Sequence, residues 1–359
     1  MSFHPTVFDC FCGLGGLSLG ARTFGNVVGG LDFETSALEA FGDNFDTAEV
    51  IQADLFTEDP IEVLRASGFS RGDVNLLVGG PPCQPYSINN HKRDLGDKRC
   101  GLIHAYLKIV SYLRPDHLVL ENVPGMAQLS KGSTLHHLLR SLRARGYTSL
   151  FRLVDASYFG VPQRRKRLIV VASVNPKALR AVADSLSRVQ SREVTVKQAI
   201  GDLPLKTGLA HYSSRPKNKY QIEMRRAGKG LSSHIGSGLG EKNLERISYV
   251  AQGENWTNIP RHLLPDGMKR ARTSDHTTRY GRLRWDRASY TLLTKCDPHW
   301  GCFIHPTENR VITVREAARL QSIPDIVRFP NSLTAAYRLI GNSVPPKLAS
   351  SIIQPLLQG

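Results

Sequence analysis

Cysteine is scarce in this chain, and the spacing of its cysteines argues against two common architectures. The 359 residues contain six cysteines, none in a Cys-x-x-Cys pair, so neither a disulfide framework nor a zinc cage is indicated. No metal is expected. Runs of about 18 apolar residues are also missing, which argues against a membrane-spanning helix. Because residues 1–5 lack the basic and apolar segments of a signal peptide, we expect a cytoplasmic protein without a membrane partner.

Acidic residues are outnumbered by basic ones, and the imbalance is concentrated in one part of the chain. The formal net charge is +16 and the isoelectric point is about 9.8. Residues 175–305 carry 23 Lys and Arg against 11 Asp and Glu. A block so polarised is typical of a protein that binds a polyanion, with nucleic acid as the leading candidate. A basic surface that serves only solubility is the alternative.

Short apolar runs alternate with segments of helical periodicity over most of the chain. This pattern predicts an α/β fold with a doubly wound, mostly parallel sheet. The closing segment has Val344, Leu348, Ile352 and Leu356 on one helical face, and we expect this helix to pack against the sheet. The expected strands are 5–9, 26–31, 48–52, 74–78, 116–120 and 168–172, and the expected helices include 102–113, 135–145 and 314–321.

A glycine-rich loop follows the first predicted strand. Gly13, Gly15 and Gly16 stand between that strand and a helix expected near Leu17, where glycine lets the backbone approach a ligand. Asp32 lies 19 residues after Gly13, about the distance at which nucleotide-binding units place a ribose-binding acid. Since Ser18 occupies the place of the third glycine of the dinucleotide motif, an adenosyl ligand without a pyrophosphate is favoured over NAD.

Cys83 lies on a stiff loop at the carboxyl end of the predicted strand 74–78. Pro81, Pro82 and Pro85 restrict the backbone around it, and open α/β sheets bind their ligands at this edge. A nucleophilic thiol facing a cleft is one interpretation. A small buried side chain, the commoner fate of cysteine, is the other.

Six short motifs occur together in one order along the chain. In this order they resemble the signatures of the DNA cytosine-C5 methyltransferases, in particular those of bacterial restriction-modification systems, and the resemblance covers nearly the whole length. It implies an S-adenosylmethionine-dependent, Rossmann-like catalytic domain over 1–174, a smaller target recognition domain over 175–305, and a return to the catalytic domain over 306–359. The motifs are 9–16, 81–84, 121–123, 163–167, 315–321 and 341–344.

The resemblance implies a reaction that needs these residue types. Carbon 5 of cytosine is a poor nucleophile, and addition of a cysteine thiolate to C6 makes it reactive. Cys83 would form that bond, Glu121 would hydrogen-bond N3 and the exocyclic amine of the ring, and Arg165 and Arg167 would complete the catalytic group. Arg165 is the first candidate for a cation beside the thiol.

The resemblance also implies where S-adenosylmethionine binds. Phe11 and Phe33 would flank the adenosine, Asp32 would bind the ribose hydroxyls, and Asp54 would bind the adenine amine. Phe33 departs from many relatives, which carry Trp or Tyr there, so its stacking on adenine is expected to be weaker. The expected cofactor-binding residues are Phe11, Gly13, Leu14, Gly15, Gly16, Asp32, Phe33, Asp54, Leu55, Pro82, Leu102, Asn342 and Val344.

Double-stranded DNA is the partner that the resemblance implies. A cytosine within the duplex is beyond the reach of a thiol, so the base must swing out of the helix. We expect a monomer, with a cognate restriction endonuclease acting on the same site without direct contact. The loop after Cys83 is expected to close over the DNA, and the basic block to read the bases. The candidate DNA-binding residues are Gln84, Ser87, Arg93, Arg279, Arg282 and Arg284.

Three other functions remain open at this point. A tRNA cytosine methyltransferase would use the same chemistry, although the size and charge of residues 175–305 favour a duplex. A catalytically silent DNA-binding protein would not need Cys83 and Glu121. An NAD-dependent oxidoreductase is disfavoured by the glycine spacing and by the charge.

Overall fold

A computed structural model describes residues 4–81, 101–128, 132–187, 193–226, 228 and 230–358. The chain divides into two compact units. Unit 1 is drawn from residues 1–159, 166–190 and 344–359, and unit 2 from residues 160–165 and 191–343.

The sheet of unit 1 confirms the predicted α/β fold. In the described residues it has seven strands, in the order β3-β2-β1-β4-β5-β7-β6. Neighbouring strands among β1 to β5 are parallel, whereas β7 runs antiparallel to both β5 and β6. The strands are β1 Thr6–Cys10, β2 Asn26–Asp32, β3 Glu49–Gln52, β4 Leu76–Gly79, β5 His117–Asn122, β6 Thr148–Asp155 and β7 Lys166–Ser173.

Helices follow most of the strands of unit 1, as the alternating pattern predicts. They include α4, whose apolar face is buried from Leu102 to Leu113 in a core that also contains Phe8 and Leu77. The helices are α1 Gly16–Ala21, α2 Thr35–Asn44, α3 Pro60–Ala66, α4 Gly101–Leu113, α5 Gly125–Gln128, α6 Ser133–Arg143, α7 Pro176–Ser187 and, from the end of the chain, α14 Pro346–Gln358.

The closing helix α14 returns to unit 1, where it packs against two other helices. Its main contacts are with α1 and α7. Leu348, Ile352 and Leu356 are buried on one face, as predicted, while Val344 precedes the helix. At Gly20 of α1, an added Cβ would lie 2.4 Å from the Cβ of Ala349, so a glycine is needed where the two helices approach.

Unit 2 contains short helices joined by irregular segments. A small apolar core includes Trp256, Met268, Tyr280 and Ile304. The helices are α8 Val196–Ile200, α9 Lys219–Arg225, α10 Glu241–Ser248, α11 Asp266–Lys269, α12 Val314–Leu320 and α13 Leu333–Asn342.

Helix α12 carries charged side chains that are buried inside unit 2. The guanidinium of Arg319 donates two hydrogen bonds to Asp325, of 2.5 and 2.6 Å. Glu316 accepts two bonds of 2.8 Å from Arg310. Burial disfavours the charge of Glu316, but the hydrogen bonds and charge of Arg310 outweigh it and lower the pKa of this carboxyl. Arg319 also donates to the Ala199 carbonyl at 2.8 Å, so the motif 315–321 connects distant segments of unit 2.

The compact units divide the chain differently from the predicted segments. Helix α7, within the block 175–305, belongs to unit 1, and most of 306–359 belongs to unit 2 up to residue 343. The segment 160–165 also belongs to unit 2. A target recognition function for residues 175–305 stays a prediction.

Candidate active site

The glycine-rich loop after β1 has an unusual backbone conformation. Phe11 has φ of 63°, a left-handed value that is an outlier for a bulky residue and a common feature of ligand sites. Gly13 and Gly15 also have positive φ, and a Cβ on Gly15 would lie 2.5 Å from the ring of Phe45. Only glycine fits there, because the buried backbone of Gly15 packs directly against the rings of Phe41 and Phe45.

Asp32, at the end of β2, fixes this loop. One carboxylate oxygen accepts a 2.9 Å bond from the Gly13 amide, and the other accepts bonds from the amides of Phe33 and Glu34. Burial raises the pKa of Asp32, although these amide hydrogen bonds oppose the shift. The next side chain, Phe33, is 61% exposed. An acid and an open aromatic ring therefore stand side by side at this edge of the sheet.

The end of β3 lies beside Asp32 and carries two further predicted residues. The Ala53 amide donates to the Asp32 carbonyl at 3.0 Å. Asp54 is half-buried, and one of its carboxylate oxygens accepts from the Phe56 amide at 3.0 Å. Leu55 is buried, as are Leu14 in the glycine loop and Leu102 in α4. Phe11, Gly13, Leu14, Asp32, Phe33 and Asp54 thus follow the carboxyl ends of β1, β2 and β3, as the sequence predicts.

Glu121 lies in β5, next to the start of the cysteine loop. Its Oε2 is 3.5 Å from the position that a Cβ would take on Gly80, and the side-chain amide Nδ2 of Asn122 donates to the Pro81 carbonyl at 3.3 Å. The strand pairing explains this proximity, because Gly79 in β4 is opposite Leu120 in β5.

Arg167 is the cation that pairs with Glu121. Its Nε lies 2.6 Å from Oε1 of Glu121, and both side chains are largely buried. Arg167 stands at the start of β7, the antiparallel neighbour of β5. The reversed strand brings an arginine to the edge where the parallel strands end, so Glu121 and Arg167 form one charge pair in unit 1.

Arg165 precedes Arg167 by two residues, but its side chain has different partners. It belongs to unit 2, where its guanidinium donates to the carbonyls of Leu292 and Gly341 at 3.2 and 2.7 Å. The side chain is fully buried. Asn342 also belongs to unit 2, whereas Val344 begins the return to unit 1.

Several predicted site residues lie outside the residues that the structure describes. These residues are Pro82, Cys83, Gln84, Ser87 and Arg93. Nucleophilic attack by Cys83, cofactor contact by Pro82, and DNA contact by Gln84, Ser87 and Arg93 stay predictions.

Of the three arginines expected to read bases, Arg282 has surroundings that do not fit this role. It is only 5% exposed, and its guanidinium donates to the carbonyls of Val250, His305, Glu308 and Ile247. We correct this prediction: Arg282 holds segments of unit 2 together.

Arg284 and Arg279 are accessible in part. Arg284 forms a surface ion pair with Asp286 at 2.7 Å. The guanidinium of Arg279 lies 5.4 Å from the ring centroid of Trp300. Both arginines remain candidates for DNA contact.

Asp9 is a buried acid at the site that sequence reasoning missed. Its carboxylate accepts a 2.7 Å bond from the Ser18 hydroxyl and so connects β1 to α1. Burial raises the pKa of Asp9 to about 7. Its position four residues before Gly13 was a usable signal, because an acid at the end of a buried strand needs a partner.

The fold and this edge of the sheet define an α/β domain of the nucleotide-binding type. The chain matches the profile of the family described as C-5 cytosine-specific DNA methylase over residues 6–358. The protein therefore belongs to this family, and it is a DNA (cytosine-5-)-methyltransferase.

Relatives from bacteria are similar to the chain over nearly its whole length. The Type II methyltransferase M.AgeI of Thalassovita gelatinovora is 30% identical, with 97% of this chain and 98% of that protein covered. M.XorII of Xanthomonas oryzae pv. oryzae is 32% identical, with coverage of 97% and 84%. Plant DNA (cytosine-5)-methyltransferases also match, but the chain spans only 23% to 28% of their length.

A solved structure agrees with the fold. The crystal structure of a DNA modification methyltransferase encoded within an E. coli prophage has a TM-score of 0.77 and 25% identity, with 99% of each chain covered.

Two general features of the described residues accompany this assignment. No helix among them is both long and apolar enough to cross a bilayer. The same residues contain no group of three His, Cys, Asp or Glu side chains arranged to hold a metal ion.

Proposed function

We propose that this enzyme methylates carbon 5 of a flipped-out cytosine in duplex DNA, through a covalent bond between Cys83 and C6 of the base. The observation that carries the proposal is the position of Glu121. Its carboxylate pairs with Arg167. The same carboxylate lies beside Gly80, which is three residues before Cys83 in the sequence. Addition of a thiolate to a pyrimidine ring requires an acid close to the cysteine, and Glu121 lies where the loop that carries Cys83 begins.

In this proposal, the chain's residues act in a fixed order. The Cys83 thiolate adds to C6 of the cytosine, and the ring electrons shift toward C5 and N3. Glu121 hydrogen-bonds N3 and the amine and relieves the charge that develops there. Once C5 carries the methyl group, loss of its proton expels the thiolate and restores the C5–C6 double bond. Arg167 holds the Glu121 carboxyl in place throughout.

S-adenosylmethionine is the methyl donor that the site fits. When bound, it supplies an activated methyl group on a sulfonium. The fit rests on the exposed ring of Phe33, the acid of Asp32 beside it, and the Gly13 amide that this acid holds in the loop. Phe11 and Phe33 would flank the adenosine, Asp32 the ribose and Asp54 the adenine amine. Leu14, Gly15 and Gly16 would surround the methionine part.

Asp32→Ala should weaken the binding of S-adenosylmethionine by about tenfold or more, since hydrogen bonds to charged groups contribute about 1.5–3 kcal/mol. The variant removes both the ribose contact and the acceptor of the Gly13 amide. Isothermal titration calorimetry measures the dissociation constant directly. Asp46→Ala, at an exposed aspartate of the α2–β3 turn, is the matched control and should bind normally. Equal affinities for the two variants would contradict the cofactor site.

The proposed substrate is double-stranded DNA. Extrusion of the base costs a few kcal/mol, which contacts between DNA and the basic unit 2 would offset. We propose that Gln84, Ser87 and Arg93 contact the DNA around the extruded base, with Arg279 and Arg284 contributing from unit 2. We further propose a monomeric enzyme paired with a restriction endonuclease that acts on the same sequence.

Bisulfite sequencing of DNA from cells that express this chain tests the function as a whole. Cytosines at one position of one short sequence should resist conversion. In cells with an empty vector, cytosines at that position should be converted. Uniform conversion despite folded protein would contradict the proposal. Radiolabelled methyl transfer to duplex DNA and to tRNA, compared in parallel, separates the DNA enzyme from a tRNA methyltransferase.

A further inference from the structure

Unit 2 contains a row of three aromatic rings that runs from its core to its surface. Tyr280 is 2% exposed and belongs to the small core of the unit. The ring of His299 meets Tyr280 edge to face at 5.9 Å, and Trp300 meets His299 in the same way at 5.4 Å. Trp300 is 48% exposed. The indole is thus held from behind while half of its surface faces outward.

The position of Trp300 is fixed by its neighbours. Asp297 accepts bonds from the amides of His299 and Trp300, of 2.8 and 2.9 Å, which form a tight turn. Burial and the charge of Arg279 lower the pKa of His299, so the middle ring of the row is neutral at physiological pH. A preset aromatic side chain loses little conformational entropy when it binds a partner.

A cation lies against the exposed indole. The Arg279 guanidinium is 5.4 Å from the ring centroid of Trp300, within the range of a cation–π interaction. The surrounding segment 261–300 carries nine Lys and Arg against four Asp and Glu. A rigid aromatic surface next to positive charge has the chemistry that a nucleic acid base and its phosphate recognise.

We propose that Trp300 stacks on an unstacked base of the bound duplex, while Arg279 contacts the adjacent phosphate or base edge. Aromatic side chains in DNA-distorting proteins insert at opened base steps, and extrusion of the target cytosine opens such a step. This inference rests on the proposed function, since it requires a duplex substrate. His299 acts as a positioning residue for Trp300 in this arrangement.

Titration of the full-length protein with its duplex substrate tests the proposal through tryptophan fluorescence. Trp256 is buried and Trp285 half-buried, so DNA should quench mainly Trp300, and Trp300→Phe should lose most of the quenching. Trp300→Ala should weaken DNA binding about tenfold, and Trp300→Phe by less than about threefold, because a phenyl ring still stacks. Tyr249→Ala removes a side chain of the same 48% exposure in unit 2 and should bind DNA normally.

The outcomes separate the two proposals. Wild-type protein that binds no duplex would overturn the proposed function and this inference with it. Wild-type protein that binds and methylates DNA, while Trp300→Ala binds equally well, would overturn only this inference. Fluorescence quenching by DNA that is unchanged in Trp300→Phe would also overturn only this inference. This test does not depend on how well Trp300→Ala folds.

Discussion

Cys83→Ser should lower the rate of methyl transfer by about 10⁴-fold or more, the scale at which loss of an essential nucleophile acts. A serine hydroxyl is similar in size to a thiol but is hardly ionised at neutral pH, so it adds to C6 far too slowly. Single-turnover transfer of a radiolabelled methyl group to duplex DNA measures the effect. DNA binding by the variant should be retained.

Cys296→Ser is the matched control for this substitution. Burial raises the pKa of the Cys296 thiol, so it stays protonated and is no nucleophile. Its sulfur contacts the Ile312 carbonyl at 3.8 Å, a contact that a hydroxyl can replace. This variant should methylate DNA at the wild-type rate. Methylation by Cys83→Ser at a rate near that of the control would exclude Cys83 as the nucleophile.

Glu121→Gln should reduce the rate of methyl transfer by about 10²-fold to 10⁴-fold, the usual contribution of a positioned acid or base. Glutamine has the same shape, but its neutral amide cannot exchange a proton with N3 or accept hydrogen bonds as strongly as a carboxylate does. The change also leaves the guanidinium of Arg167, 2.6 Å away, without a charged partner. Single-turnover rates should fall, while the affinity for S-adenosylmethionine should be nearly unchanged.

Replacing Glu121 removes the charged partner of Arg167 and so also lowers the stability of the protein. The rate measurement on Glu121→Gln therefore needs a stability measurement beside it. Removing one member of a largely buried ion pair destabilises a protein by up to about 3–5 kcal/mol. Thermal unfolding shows whether the variant is folded at the assay temperature. Glu121→Asp keeps the charge and should recover part of the rate. A folded Glu121→Gln enzyme with wild-type turnover would exclude the proposed role.

The sequence predicted the strand ends at the carboxyl edge of the sheet well because the relevant signals there are local. Each apolar run of β1, β2, β4 and β5 ends in glycine, proline or an acid, and these runs are short and uninterrupted. Asp32 and Glu121 could therefore be assigned to strand ends. Strand β6, Thr148–Asp155, was missed because a partly exposed edge strand carries polar and apolar residues without a clear period.

The burial of charged side chains could not be predicted from sequence. Arg282 is in the basic block and Arg319 is on a short predicted helix, yet each is buried. Their donors are used by carbonyl groups and carboxylates that are distant in sequence, such as His305 for Arg282 and Asp202 for Arg319. Only the tertiary structure brings these acceptors together. Charge counting alone therefore overestimates how much of unit 2 is available to DNA.

Capture of the protein on DNA that carries 5-fluorocytosine at the target position tests the central claim most directly. Fluorine at C5 cannot leave as a proton does, so the bond between the sulfur and C6 should persist after methyl transfer. We predict a denaturation-resistant protein–DNA adduct with the wild-type enzyme and none with Cys83→Ser. Release of the fluorinated duplex without an adduct, from an enzyme that methylates ordinary DNA, would contradict the account.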